Sequence, residues 1–186
     1  MSRLDLLLKE YERFVALPWE RGLAGPQKVW FVVYDRTEER RLRAALDNFR
    51  LATVGAGHPW LPVDLTGAFP TWMASQEYRD GYFESPDDID MVLPQFRTHV
   101  ADRVREALES PEADDRAVVA VSGVATLFGF LSISELVHDV EPSIRGRLVL
   151  FFPGEHEAGN YRFLEARDGW NYHAVPITAP AGGDTP

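Results

Sequence analysis

The stretch at residues 117–155, AVVAVSGVATLFGFLSISELVHDVEPSIRGRLVLFFPGE, constrains the chain more than any other. It holds two short apolar runs, AVVAV at 117–121 and LVLFF at 148–152, each too short for a helix. Between them lies a segment of helical length with Leu127, Phe130, Leu131, Ile133, Leu136, Val137 and Val140. Near-continuous apolar strands that bracket a helix mark a parallel βαβ unit covered on both faces. Its connection is expected to be right-handed.

The rest of the chain extends that alternation. Ser2 is placed to cap a first helix carrying Leu4, Leu7, Leu8, Tyr11, Phe14 and Val15 near helical spacing. The run VWFVVY at 29–34 is a strand ending in Asp35, and 37–55 reads as a charged amphipathic helix with Leu42, Ala45, Leu46, Phe49 and Ala52 on one face. A second strand is expected at 60–65, where the interior Pro62 demotes it to a sheet edge or an irregular strand. Aromatic residues crowd 69–83, with a helix expected at about 70–77, and Pro86-Asp87-Asp88 opens another short one. The segment 95–109 is the clearest helix, and the strands at 117–121 and 148–152 follow. Asp168-Gly169 is a turn signal joining 161–164 to 170–177 as a hairpin. The expected fold is α/β: a single domain over residues 1–178, with a mainly parallel central sheet flanked by helices and a C-terminal hairpin. The tail 179–186, APAGGDTP, has nothing to bury and is expected to be mobile.

Composition removes several function classes. Of 186 residues, 45% are hydrophobic, enough for a real core. A formal charge of −10 argues against general nucleic-acid binding, which needs clustered cations against the phosphate backbone. Without cysteine there is no disulfide, thiolate nucleophile or Cys-based zinc site. No apolar run reaches the roughly 20 residues of a membrane span. The start, MSRLDLLLKEYERF, is too charged for a signal peptide. A soluble cytoplasmic protein is expected, with no cofactor.

The chemistry-bearing candidates are few. Ligands of open α/β sheets sit beyond the carboxyl ends of the strands. There Asp35, Asp64 and Glu155 could serve a small metal-dependent hydrolase through oxygen ligands. The competing reading is that each aspartate caps the turn or helix after it. The run Gly123 to Gly129 follows a strand as a phosphate loop would, but five residues separate the glycines and Phe130 stands where a Walker lysine belongs. Nucleotide hydrolysis is not expected at that turn. Glu155-His156-Glu157 reads as a solvated acidic loop, and Ser122 lacks the glycine pattern of a nucleophile elbow.

Five blocks carry a family resemblance: LPWERGL at 17–23, VWFVVYD at 29–35, EYRDGYFESP at 77–86, GVATLFGFLSISELV at 123–137 and RGRLVLFFPGEHEAGNYRFLEARDGWNYHAVPI at 145–177. Together they resemble the B component of BREX bacteriophage-exclusion systems, over roughly residues 4–177. The resemblance implies no catalytic motif. It implies an accessory subunit that works beside a large ATPase, an alkaline-phosphatase-superfamily protein and an adenine-specific DNA methyltransferase. On that reading the chain is a non-catalytic binding module with protein partners and no direct contact with nucleic acid or membrane. Aromatic and arginine side chains dominate binding hot spots. The expected docking residues are therefore Tyr161, Arg162, Arg167, Trp170 and Tyr172 on the hairpin, with Glu155 and Glu157 beside it to steer a partner by charge.

Overall fold

The computed structural model describes residues 1–157, 160–162 and 172–181. Helix α1 (Arg3–Ala16) starts at Ser2, whose side chain accepts from the Asp5 amide while Asp5 accepts from the Ser2 amide. This reciprocal box satisfies two amides that the first turn would otherwise leave unpaired. Strand β1 (Val29–Tyr34) leads to helix α2 (Glu39–Gly55), edge strand β2 (Trp60–Asp64) and the short helices α3 (Ala68–Ala74) and α4 (Arg79–Glu84). Helix α5 (Leu93–Glu109), strand β3 (Val118–Ser122), helix α6 (Ile133–Val140) and strand β4 (Arg147–Pro153) follow. Strands β5 (Glu155–Glu157) and β6 (Asn160–Arg162) form a small antiparallel hairpin, and β7 (Val175–Thr178) comes last.

The central sheet has the order β2-β3-β4-β1-β7, and every pair in it is parallel. Side chains alternate across it. From β1, Trp30, Val32 and Tyr34 join α1 and α2, where Leu7, Tyr11, Leu42 and Phe49 are buried. Val29, Phe31 and Val33 face the opposite way, toward α3, α5 and α6 with Trp72, Phe96, Val104 and Leu136. Burying each such Leu or Phe contributes roughly 1.5–3 kcal/mol, so the two-sided core holds the strand ends in place. The path from β1 to β2 runs along the α2 face, and the paths from β2 through β4 run in the opposite direction on the other face. Uniform crossover handedness requires that change of face.

The α/β architecture, the parallel sheet and the edge position of β2 agree with the sequence. Two local features differ. The segment between β3 and β4 is not one helix: a short 3-10 turn covers Val124–Leu127, Gly129 takes a φ of 84°, and α6 begins only after Ser132, whose side chain accepts from the Glu135 amide. The left-handed glycine and the serine cap divide an apolar stretch that hydropathy alone reads as continuous. The described end of the 170–177 stretch, β7, lies parallel to β1 at the sheet edge, while β6 pairs with β5. The 163–171 part of the expected hairpin and the tail at 182–186 lie outside the described residues.

Candidate partner-binding surface

At the carboxyl end of the sheet, Asp35 and Asp64 build turns. Asp35 accepts from the Thr37 amide at 2.8 Å and from the Thr37 hydroxyl at 2.6 Å, fixing the turn into the 3-10 segment before α2. Those two bonds hold its carboxyl below the usual carboxylate range. Asp64 accepts from the Thr66 amide at 2.9 Å. Partial burial pushes its pKa up, but the Thr66 bonds outweigh it and the net direction is down. Strands β3 and β4 lie between β2 and β1. At roughly 4.8 Å per strand, Asp35 and Asp64 end about 14 Å apart, too far to share one ion at 2.3–2.6 Å from each oxygen. No group of three metal-ligating side chains occurs among the described residues.

Glu155 does lie near the β1 end, because the Gly154 amide donates to the Tyr34 carbonyl at 2.9 Å. It is exposed. In the β5–β6 hairpin, Glu155 stands opposite Arg162, His156 opposite Tyr161 and Glu157 opposite Asn160. Desolvation lowers the His156 pKa, so the ring is held toward its neutral form. Arg167 and Trp170 lie outside the described residues.

Tyr172 requires a correction. It was expected on the docking face, yet it is buried, its ring stacks toward Phe31 with centroids 6.2 Å apart, and its hydroxyl donates to Glu141 at 2.8 Å. It anchors the chain to the core just before β7. A tyrosine in a mixed polar-aromatic stretch suits either role, and only the tertiary contact to Glu141 distinguishes them.

The surface that sequence reasoning passed over is residues 77–91, which include α4 and the 3-10 segment Pro86–Met91. Tyr82 and Ile89 pin it to the core, but Tyr78, Phe83 and Met91 are 71%, 69% and 74% exposed. Around them stand Glu77, Asp80, Glu84, Asp87, Asp88 and Asp90, with Arg79 the lone cation of the segment. The segment thus holds three large apolar side chains open to water among carboxylates. The signal in the sequence was the absence of period: the apolar residues of 77–91 fit neither a helical stripe nor strand alternation.

Neither a family, nor a curated protein, nor a solved structure matches this chain.

Proposed function

We propose that this protein is a non-catalytic accessory subunit of a BREX-type bacteriophage-exclusion complex, acting by binding the ATPase component, the alkaline-phosphatase-superfamily component, or both. The DNA methyltransferase is the further candidate partner. The resemblance of the five sequence blocks supplies the system, and a cytoplasmic location goes with it. The observation that carries the binding role is the exposure of Tyr78, Phe83 and Met91 on a segment otherwise rich in carboxylates. Aromatic and methionine side chains are enriched at interfaces, and the surrounding acids favour a partner with a basic patch. The hairpin bearing Glu155, Glu157, Tyr161 and Arg162, continued by Arg167 and Trp170, is a second contact in the same proposal. Strand β7 is an edge strand of the central sheet, whose outer backbone groups suit strand addition.

The test is capture of each purified BREX component by the full chain, then by a Tyr78→Ala/Phe83→Ala variant and an Arg162→Ala/Arg167→Ala variant. Tyr78 and Phe83 are exposed, so thermal melting of the first variant should stay near the parent value, and melting of the second shows whether it is folded before its binding is read. Loss of one partner by either folded variant supports the reading. Failure of the parent protein to bind any component overturns it.

A further inference from the structure

The amino end of the sheet carries a feature unrelated to the partner surface. The loop after α1 brings Trp19 beside His58, which precedes β2, with ring centroids 3.7 Å apart and planes within 5°. Arg147, the first residue of β4, places its guanidinium 4.6 Å from the Trp19 ring centre and 5.7 Å from that of Trp30. The histidine is fixed in turn, since its Nδ1 donates to the Arg116 carbonyl at 2.8 Å. Trp19, His58, Arg116 and Arg147 line a pocket of about 410 Å³.

The charge balance of that pocket is unusual for this chain. Arg21, Lys28, Arg116, Arg145 and Arg147 line it, against Glu20 and Asp115. None of the five cations forms an ion pair with a carboxylate among the described residues. Several instead donate to backbone carbonyls: Arg116 to Gly57 at 2.6 Å, Arg145 to Ser110 at 2.7 Å and Lys28 to Ile144 at 3.2 Å. Those bonds aim and hold the side chains without neutralising them. A net excess of positive charge thus sits in one cleft of a protein whose total is −10.

Arg147 turns the patch into a built site. It is only 5% exposed, its Nη1 donates to the Gly146 carbonyl at 3.1 Å, and its Nε is buried with no hydrogen-bond partner. The Trp19 Nε1 is likewise buried and unpartnered. Burial pulls the Arg147 pKa down, with Glu20 opposing the shift, and an arginine keeps its proton at neutral pH regardless. The indole faces stabilise the cation in part. A donor left without an acceptor is nonetheless costly, and Arg147 is held at that cost beside the pocket, where its guanidinium presents positive charge to an oxyanion.

We propose that this pocket binds the phosphate or diphosphate group of a small molecule, held by Arg147 together with Arg116 and Arg21. Guanidinium forks match phosphoryl oxygens two at a time. A dianion balances most of the surplus charge, whereas a single carboxylate would leave most of it standing. The cleft is sized for a small ligand, and the acidic remainder of the surface disfavours a nucleic-acid backbone.

The experiment is titration of the full chain with inorganic phosphate and with pyrophosphate at low ionic strength, read by calorimetry and by the change in tryptophan emission. Saturable binding is expected, tighter for pyrophosphate. Arg147→Lys and Arg21→Gln are each expected to weaken it by about tenfold, the size of a charged hydrogen bond. Arg21 makes no hydrogen bond or ion pair among the described residues, so its variant tests the site without risk to the fold. Succinate and a single-stranded oligonucleotide serve as competing anions. Absence of saturation by about 1 mM pyrophosphate, a standard free energy near −4 kcal/mol, overturns the proposal. So does unchanged affinity in both variants, or binding of succinate or the oligonucleotide as tight as that of pyrophosphate.

Discussion

Three glycine positions separate two costs that are normally entangled: an unfavourable backbone angle and a lack of space. Gly129 has a φ of 84° with nothing within 4 Å of a built Cβ. Gly146 has ordinary φ, but a Cβ there would lie 2.1 Å from the Ala117 carbonyl oxygen. Gly123 combines both, with a φ of 76° and a Cβ that would meet the Thr66 amide nitrogen at 2.4 Å and the Asp64 carboxylate at 2.9 Å. A left-handed L-residue costs about 1–2 kcal/mol, less about 0.4–1 kcal/mol regained because alanine restricts the unfolded chain. Gly129→Ala should therefore destabilise by only about 1 kcal/mol. Overpacking against backbone, which cannot swing aside as a side-chain tip can, adds about 1–3 kcal/mol. Gly146→Ala should then cost about 1–3 kcal/mol, and Gly123→Ala about 2–4 kcal/mol as the sum of both effects. Urea denaturation followed by circular dichroism measures all three, with the slope of the transition checked for constancy. If Gly123→Ala costs no more than Gly129→Ala, the turns after β2 and β3 are not locked together as described.

Two further outcomes follow from charge. Arg97 on α5 grips Asp139 at the end of α6 through two bonds of 2.8 and 3.0 Å and also reaches Glu135 at 2.7 Å. The Arg97 bond holds the Asp139 pKa down, so its contribution is present above the unfolded value of about 3.9 and is lost as pH falls through the lower folded one. Because the groups are partly exposed, Arg97→Gln should cost no more than about 1 kcal/mol at neutral pH, and the parent's advantage should vanish in acid; a difference that persists at low pH would contradict this. The isolated protein should also show no duplex-DNA affinity tighter than the non-specific range of about 10⁻⁴ to 10⁻⁶ M at physiological salt; a tighter gel shift would refute that reading of its −10 charge.

Strands were legible because parallel, doubly covered strands cannot carry polar residues inside. The expected boundaries of β1 agree with the structure, those of β3 and β4 lie within a residue of it, and of the two places Pro62 left to β2, an edge or an irregular strand, the structure takes the edge. Helix α5 was equally plain from its stripe of Phe96, Val100, Val104 and Leu108. Both aspartates could be read two ways, and only the interposed strands and the threonine bonds decide for caps. Tyr172 was misread because burial of a single tyrosine leaves no period. The phosphate pocket was invisible for another reason: Trp19, His58, Arg116 and Arg147 each precede or begin a different element, and topology alone gathers them.

The position of β1 between β4 and β7 has a consequence for how this protein is made. Val29 finds its partner at Leu148 and Trp30 its other partner at Val175, so β1 waits for the last two strands of the central sheet, β4 and β7. A nascent chain that has emerged only as far as α5 holds VWFVVY with neither neighbour. That hexapeptide is uncharged, β-prone and free of proline and glycine, the kind of segment that pairs with copies of itself when left open. Sequence-distant pairing also slows folding. Until translation passes Thr178, protection of β1 falls to α1, which packs against it and is already complete when the strand leaves the ribosome. Helix α1 thus covers one face of β1, that of Trp30, Val32 and Tyr34, before either neighbouring strand exists.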